Sequence, residues 1–230
     1  MEIIPAILTK SYEDLKHKIA LVKSFVSLIQ VDICDGKYVN SMTWPFLGAD
    51  NLDKHFLAIL DEREGMPFWE EVDFEIDLMV SDAVTNFDIY TKLSPKRIVF
   101  HIEAMNDKKA FCEFLEGIDP YFKDSIEFGV AVLPSTDLSI FSKFISNISF
   151  VQFMGIEKIG HQGEYFYEKV FENIKKFKKE YPDVIISVDG GVTIAVAQEL
   201  KNLGVDRVVS GSAIYSSDDI IGTIEEFRSI

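Results

Sequence analysis

The sequence predicts an α/β chain folded as a (β/α)8 TIM barrel, and three observations carry that expectation. Strand-like and helix-like segments alternate from end to end of the 230 residues. The strands read as near-continuous apolar runs, as parallel strands do when both faces are buried. Eight such units follow one another with no linker and no shift of composition, and no G-x-G-x-x-G follows the first strand, so a barrel accounts for the repeats better than an open dinucleotide-binding sheet. The length is close to the roughly 250 residues of a typical barrel. A single domain over residues 1–230 is expected.

Residues 2–8 form the first strand, and Ser11 caps a helix over 12–25 with Leu15, Ile19 and Val22 at helical spacing. The second strand, 28–36, turns Gln30, Asp32 and Cys34 one way and Ile29, Val31 and Ile33 the other. A polar-aromatic loop over 37–48, a helix over 51–60 and a loop over 61–72 lead to the third strand, 74–80, with Glu75, Asp77 and Met79 on one face. Ser81 and Asp82 are helix-start residues for 83–93. The fourth strand, 97–102, runs through His101, and Asp107 caps the helix after it. The fifth, 126–133, precedes a helix over 138–145. The sixth, 150–154, opens a glycine-bearing loop over 155–163 and a helix over 165–181, whose lysines come late, where the helix dipole favours them. The seventh, 184–188, breaks at Asp189-Gly190-Gly191 before a helix over 194–203 that Gly204 stops. The eighth, 207–210, opens onto Gly211-Ser212, and a last helix covers 220–227.

Hydrophobic residues make up 47% of the chain, ample for a core, and the 19 phenylalanines are spread so widely that they read as packing. A net charge of −15 repels phosphate backbones and anionic bilayers, which argues against nucleic-acid and membrane partners. An anionic substrate would have to be held by backbone donors against that field. Cys34 and Cys112 show no CxxC spacing, so neither a zinc site nor a disulfide framework is expected. With no leader-like N-terminus and no apolar run near the ~20 residues of a membrane span, a cytoplasmic location is expected.

Barrel sites gather at the C-terminal ends of the strands. Asp32, Asp77 and Asp189 end the second, third and seventh strands, with His101 and Met154 ending the fourth and sixth. One aspartate alone reads equally as a turn cap. Three at one mouth point to a functional pocket, because carboxylates are seldom buried unless paired, metal-bound or catalytic. Gly190-Gly191 and Gly211-Ser212 expose backbone N–H groups beside helix N-termini after the last two strands, the phosphate site of this architecture. A phosphorylated small molecule is the expected substrate. His101 reads equally as a site residue or a hydrogen-bonded structural one. His161 and Lys158 read as solvated loop residues, His17 and His55 as surface, Trp44 and Phe46 as packing.

The motifs Pro5-Ala6-Ile7-Leu8, Val31-Asp32-Ile33-Cys34-Asp35-Gly36 with Tyr38-Val39-Asn40, Asp77-Leu78-Met79-Val80, His101-Ile102-Glu103-Ala104, Val188-Asp189-Gly190-Gly191-Val192 and Ser210-Gly211-Ser212-Ala213-Ile214-Tyr215 occur in this order. Together, over essentially the whole chain, they resemble the ribulose-phosphate 3-epimerase family. The resemblance implies a TIM barrel of the ribulose-phosphate-binding type and an isomerase of pentose phosphate carbohydrate metabolism. Its reaction would be epimerisation at C3 between D-ribulose 5-phosphate and D-xylulose 5-phosphate. It implies Asp32 and Asp189 as acid and base on opposite sides of the sugar, and Met154, Gly163, Gly190, Gly191, Gly211 and Ser212 as substrate and phosphate contacts. It further implies a divalent metal held by the two aspartates and two histidines, and a homo-oligomeric chain.

This sequence departs from that pattern at the metal. Gln30 and Asp77 stand where the family has its histidines. The resulting set of Asp32, Asp77, Asp189 and Gln30 suits manganese, magnesium or calcium better than zinc. Without a metal, three close carboxylates would repel and one would be protonated. The family's N-P-G-F-G-G-Q loop is replaced by residues 155–163, which keep Gln162-Gly163 without the proline. Two alternatives stay open: a divergent paralogue acting on another phosphosugar, such as a ketohexose 6-phosphate, or one that binds a phosphosugar without turnover. Relatives that decarboxylate β-keto acid phosphates or add formaldehyde to a pentose phosphate use D-x-K-x-x-D, and Cys34 at the lysine position disfavours that class.

Overall fold

The computed structural model describes residues 1–48 and 51–230. Among them, eight parallel strands close a barrel. They are β1 (Glu2–Ile7), β2 (Leu28–Cys34), β3 (Asp73–Met79), β4 (Arg97–His101), β5 (Glu127–Val132), β6 (Phe150–Met154), β7 (Ile185–Asp189) and β8 (Arg207–Ser210). Each pairs with its neighbours in the chain, and β8 returns to β1 through Glu2↔Arg207 and Pro5↔Ser210. The fold is therefore the predicted TIM barrel.

Alternation along the strands sorts their side chains into two environments. Outward residues such as Ile29, Val31, Ile98, Phe100, Val151 and Ile186 pack against Leu15, Phe111, Ile174, Phe177, Leu200 and Phe227 from the helices in one continuous core. Burying a large aliphatic or aromatic side chain in this way is worth about 1.5–3 kcal/mol each. Inward residues fill the barrel itself, and many of them are polar. Phe150 occupies interior space that Gly129 leaves free, since a Cβ there would lie 2.3 Å from the ring.

The N-terminal floor of the barrel is a charged ring. Arg97 lies 3.1 Å from Glu2, 3.3 Å from Glu127 and 3.8 Å from Glu75, while Arg207 lies 3.4 Å from Glu2 and 2.7 Å from Glu127. The Arg207 guanidinium also rests over the Phe150 ring, 4.9 Å from its centroid. Glu75 is fully buried, and burial pushes its carboxyl up to about 8 although Arg97 and Arg207 pull it down.

Four helix expectations are corrected. Residues Asn51–Leu52 pair with Phe46–Gly48 in a two-stranded ribbon, so the helix expected over 51–60 begins only at Lys54. Asp53 caps it, accepting from the His55 and Phe56 N–H groups. The helix expected over 83–93 shortens to Phe87–Thr91, because both the N–H and the hydroxyl of Ser81 donate to Asp35 instead of capping. The segment over 138–145 takes the tighter 3₁₀ form, Leu138–Lys143. The helix expected over 165–181 begins at Lys169, since the chain before it crosses the mouth and the Tyr167 N–H donates to the Gly155 carbonyl at 2.7 Å. Trp44 is buried against Tyr12 and Phe56, in line with a packing role. No helix among the described residues is long and apolar enough to cross a membrane.

Candidate active site

The C-terminal mouth of the barrel gathers the three predicted aspartates. Asp32 and Asp77 face each other in the β2–β3 register, and Asp189 approaches from β7, so that one oxygen from each lies within 4.8 Å of the others. Beneath them, fully buried Gln30 donates through its side-chain nitrogen to Asp32 Oδ1 at 2.7 Å and to Asp189 Oδ2 at 2.9 Å. Asp77 has both oxygens engaged, with His101 Nε2 at 2.7 Å and Gln152 Nε2 at 3.0 Å.

These contacts shape the proton inventory. Burial, then Asp189 and Asp77, raise Asp32 well above the ordinary carboxylate range. Burial, then Asp77, push Asp189 up to about 7, against the hydrogen bond from Gln30. Two carboxylates so close cannot both be readily ionised, and one holds a proton near neutral pH. Burial works against the charge on His101, but the neighbouring Asp77 carboxylate outweighs it and raises the imidazole.

Asp35, three residues beyond Asp32, does something else. One oxygen accepts from the Lys37 and Tyr38 N–H groups, and the other accepts from Ser81 N–H and hydroxyl. Burial raises its pKa, but these four donors outweigh that and hold the carboxyl below its usual value. Asp35 is a loop anchor outside the acid cluster.

Beside the cluster lies a narrow, partly enclosed cavity. Asp32, Asp189, Met154, Gly163, Gly190, Gly191, Gly211 and Ser212 line it, whereas Gln30 and Asp77 lie below. Gly190 and Gly191 have φ of +99° and +68°, a left-handed turn that L side chains rarely adopt. At Gly211 a Cβ would lie 2.9 Å from the Ala6 carbonyl of β1, a backbone atom, and in the space the Gln162 amide now fills. Ile159 of that loop packs toward Met79, Cys34 and Met154. His161 also lines the cavity, its Nε2 2.8 Å from Glu164 Oε1.

Gln152 has no site role in the sequence reading, and His161, whose solvated-loop reading is preferred there over a substrate contact, lines the cavity. Gln152 shares the inward parity of Met154 two residues on, which is a readable signal. The seating of His161 depends on the path of a loop that has no periodicity.

The donor set can be tested against the divalent metal that the family uses. Three converging buried carboxylates, two of them raised by burial and then by neighbouring carboxylates, match the need of a hard cation for oxygen ligands and negative charge. Gln30 turns an N–H donor toward the cluster, so its oxygen would join a ligand set only after the amide turned over.

Fold and site together define a (β/α)8 barrel whose strand ends hold a buried carboxylate cluster beside a glycine-lined cavity. The chain belongs to the ribulose-phosphate 3-epimerase family, whose model, described as "Ribulose-phosphate 3 epimerase family", matches residues 2–215. A ribulose-phosphate 3-epimerase of Helicobacter pylori (strain J99 / ATCC 700824) is 26% identical over 100% of this chain and 98% of its own. Among solved structures, a 3-hexulose-6-phosphate synthase superposes with a TM-score of 0.67 at 17% identity, covering 100% of this chain and 99% of its own. KGPDC from Streptococcus mutans in complex with D-R5P gives a TM-score of 0.69 at 13% identity, covering 99% and 95%. At such identities the solved structures speak for the fold alone.

Proposed function

We propose that the protein epimerises a ketopentose phosphate at C3, interconverting D-ribulose 5-phosphate and D-xylulose 5-phosphate. The observation that carries the reading is the pairing of Asp32 and Asp189 on one amide at the edge of a glycine-lined cavity. The ionised member of the pair removes the C3 proton, and the C–H electron pair moves into the C2 carbonyl to give an enediolate. The protonated member then delivers its proton to the opposite face of C3, and the two carboxylates have exchanged states. Backbone N–H groups at Gly190, Gly191, Gly211 and Ser212 hold the phosphate without a fixed positive charge, as an acidic chain requires. Gly163 and Met154 border the sugar.

A divalent cation, manganese or magnesium in this reading, would be held by Asp32, Asp77 and Asp189 and would supply positive charge to the enediolate oxygens. Cytoplasmic placement and one functional unit over 1–230 belong to the same proposal.

The test is incubation of the protein with D-ribulose 5-phosphate in deuterium oxide, following deuterium at C3 and formation of D-xylulose 5-phosphate by NMR. Both are expected. The change at both histidine positions favours one second reading, a protein that binds a phosphosugar without turning it over. Saturable binding without deuterium uptake would select it.

A further inference from the structure

We infer that Gln30 is the positioning residue of the acid–base pair, a donor that ties Asp32 to Asp189 rather than a ligand of a cation. The kinetic part of this inference rests on the proposed epimerisation; the geometric part does not. One nitrogen carries two hydrogens, and the two are spent on two different carboxylates, at 2.7 Å and 2.9 Å. Those carboxylates sit on β2 and β7, strands separated in the barrel by β1 and β8. The tie therefore spans the barrel, and no backbone pairing could replace it.

The orientation of the amide follows from chemistry. Turned over, it would set its oxygen against the ionised member of the pair at hydrogen-bond distance, acceptor facing acceptor, and could accept at most from the protonated one. In the orientation found, Gln30 Oε1 is buried without a partner, which is itself unfavourable. A buried glutamine left with an orphaned oxygen so that both its hydrogens reach two acids is placed for those acids.

The arrangement has a consequence for the reaction. Asp32 Oδ1 and Asp189 Oδ2 are fixed as acceptors, which leaves Asp32 Oδ2 and Asp189 Oδ1 to exchange protons with C3. A pair that swaps roles in every turnover needs a partner that serves both states alike. A neutral amide does so, since it donates to either carboxylate and takes up no proton itself.

Gln30→Leu keeps the volume and removes the donor. We expect kcat to fall about 100-fold in both directions, as misplaced reacting groups do, with KM for ribulose 5-phosphate changed less than about threefold. Mn²⁺ affinity, read by titration with electron paramagnetic resonance, should also change less than about threefold. Gln30→Glu should lose at least as much activity as Gln30→Leu, having the shape without the donor. Gln30→His should recover part of the loss, since an imidazole N–H serves one carboxylate at a time.

A tenfold or larger loss of Mn²⁺ affinity in Gln30→Leu would make Gln30 a cation ligand and overturn the inference, as would an unchanged kcat or an active Gln30→Glu. A spectroscopic arm stands apart from turnover and from the folding of the Gln30 variants. The Gln30 side-chain ¹⁵N–¹H pair should be low-field and protected from solvent exchange in the wild-type protein, and both Asp32→Asn and Asp189→Asn should shift it. If the wild-type protein does not epimerise but the pair behaves this way, the proposed function fails and the tie stands. A pair indifferent to both substitutions overturns the tie whatever the activity.

Discussion

The two ends of the barrel each collect three carboxylates, and they treat them in opposite ways. At the floor, Glu2, Glu75 and Glu127 meet two guanidinium groups, Arg97 and Arg207, at 2.7–3.8 Å. At the mouth, Asp32, Asp77 and Asp189 meet two amides and one imidazole. The floor answers negative charge with permanent positive charge, which a proton cannot easily change. The mouth answers it with two amides that carry no charge and one imidazole that can itself gain or lose a proton, so its protons stay movable. The same fold thus separates an end whose carboxylates face fixed cations from an end whose carboxylates face amides and an imidazole.

The comparison is tested most severely at the mouth. Asp32→Asn and Asp189→Asn should each lower the rate of epimerisation by about 10³-fold, within the range of lost acid–base groups. Both should remain folded, because amides in place of mutually repelling carboxylates relieve charge. Each variant, assayed with either pure epimer in deuterium oxide, should show C3 exchange from one epimer only. Loss of exchange from both epimers in either single variant would remove the two-sided mechanism and leave the barrel assignment intact.

The second test is a pH profile of stability on protein freed of metal by chelation. Glu75 is raised in the folded state from 4.5 to about 8, and Asp189 from 3.8 to about 7. Between the unfolded and folded values the native state binds the proton and the unfolded state does not, so stability falls as pH rises through that window. His101, also raised when folded, adds a contribution of the same sign, lost as pH rises through its folded value. The urea midpoint should therefore be higher at pH 5 than at pH 8. Glu75→Gln should raise stability at pH 8 on the order of 3 kcal/mol and flatten the profile. An unchanged slope would mean that the floor guanidiniums keep Glu75 ionised throughout.

How much of this could be read in advance depends on where the partners lie in the chain. Asp32, Asp77 and Asp189 stand out because strand parity and a position at a strand end are local properties. The glycine turns after β7 and β8 stand out for the same reason. The floor ring does not. Glu2 and Arg207 meet only because the barrel closes, and Arg97 joins Glu75 and Glu127 only through register across β3, β4 and β5. Gln30 was legible as an inward residue, whereas its bond to Asp189, 159 residues away, is a fact of tertiary geometry. Ser81 was misread for the same reason: a helix-start residue by local chemistry, it is engaged by Asp35, 46 positions earlier.

The smallest effect is expected at the rim, and it asks how far the mouth avoids positive charge. Among the described residues that line the cavity, His161 is the one side chain able to carry a cation, and its Nε2 lies 2.8 Å from Glu164 Oε1. It is partly exposed, with 43% of its side chain accessible, so any pairing with a phosphate is weakened by solvent. A contact of that kind is worth roughly 1 kcal/mol. His161→Ala should accordingly raise KM for ribulose 5-phosphate about fivefold and leave kcat unchanged, with His161→Lys close to the wild-type protein. Inorganic phosphate as a competitive inhibitor should weaken in the same proportion, because the lost contact is to the phosphate and not to the sugar. If neither constant moves, the main-chain donors of the two glycine turns hold the anion alone, and the contrast with the arginine-built floor is complete.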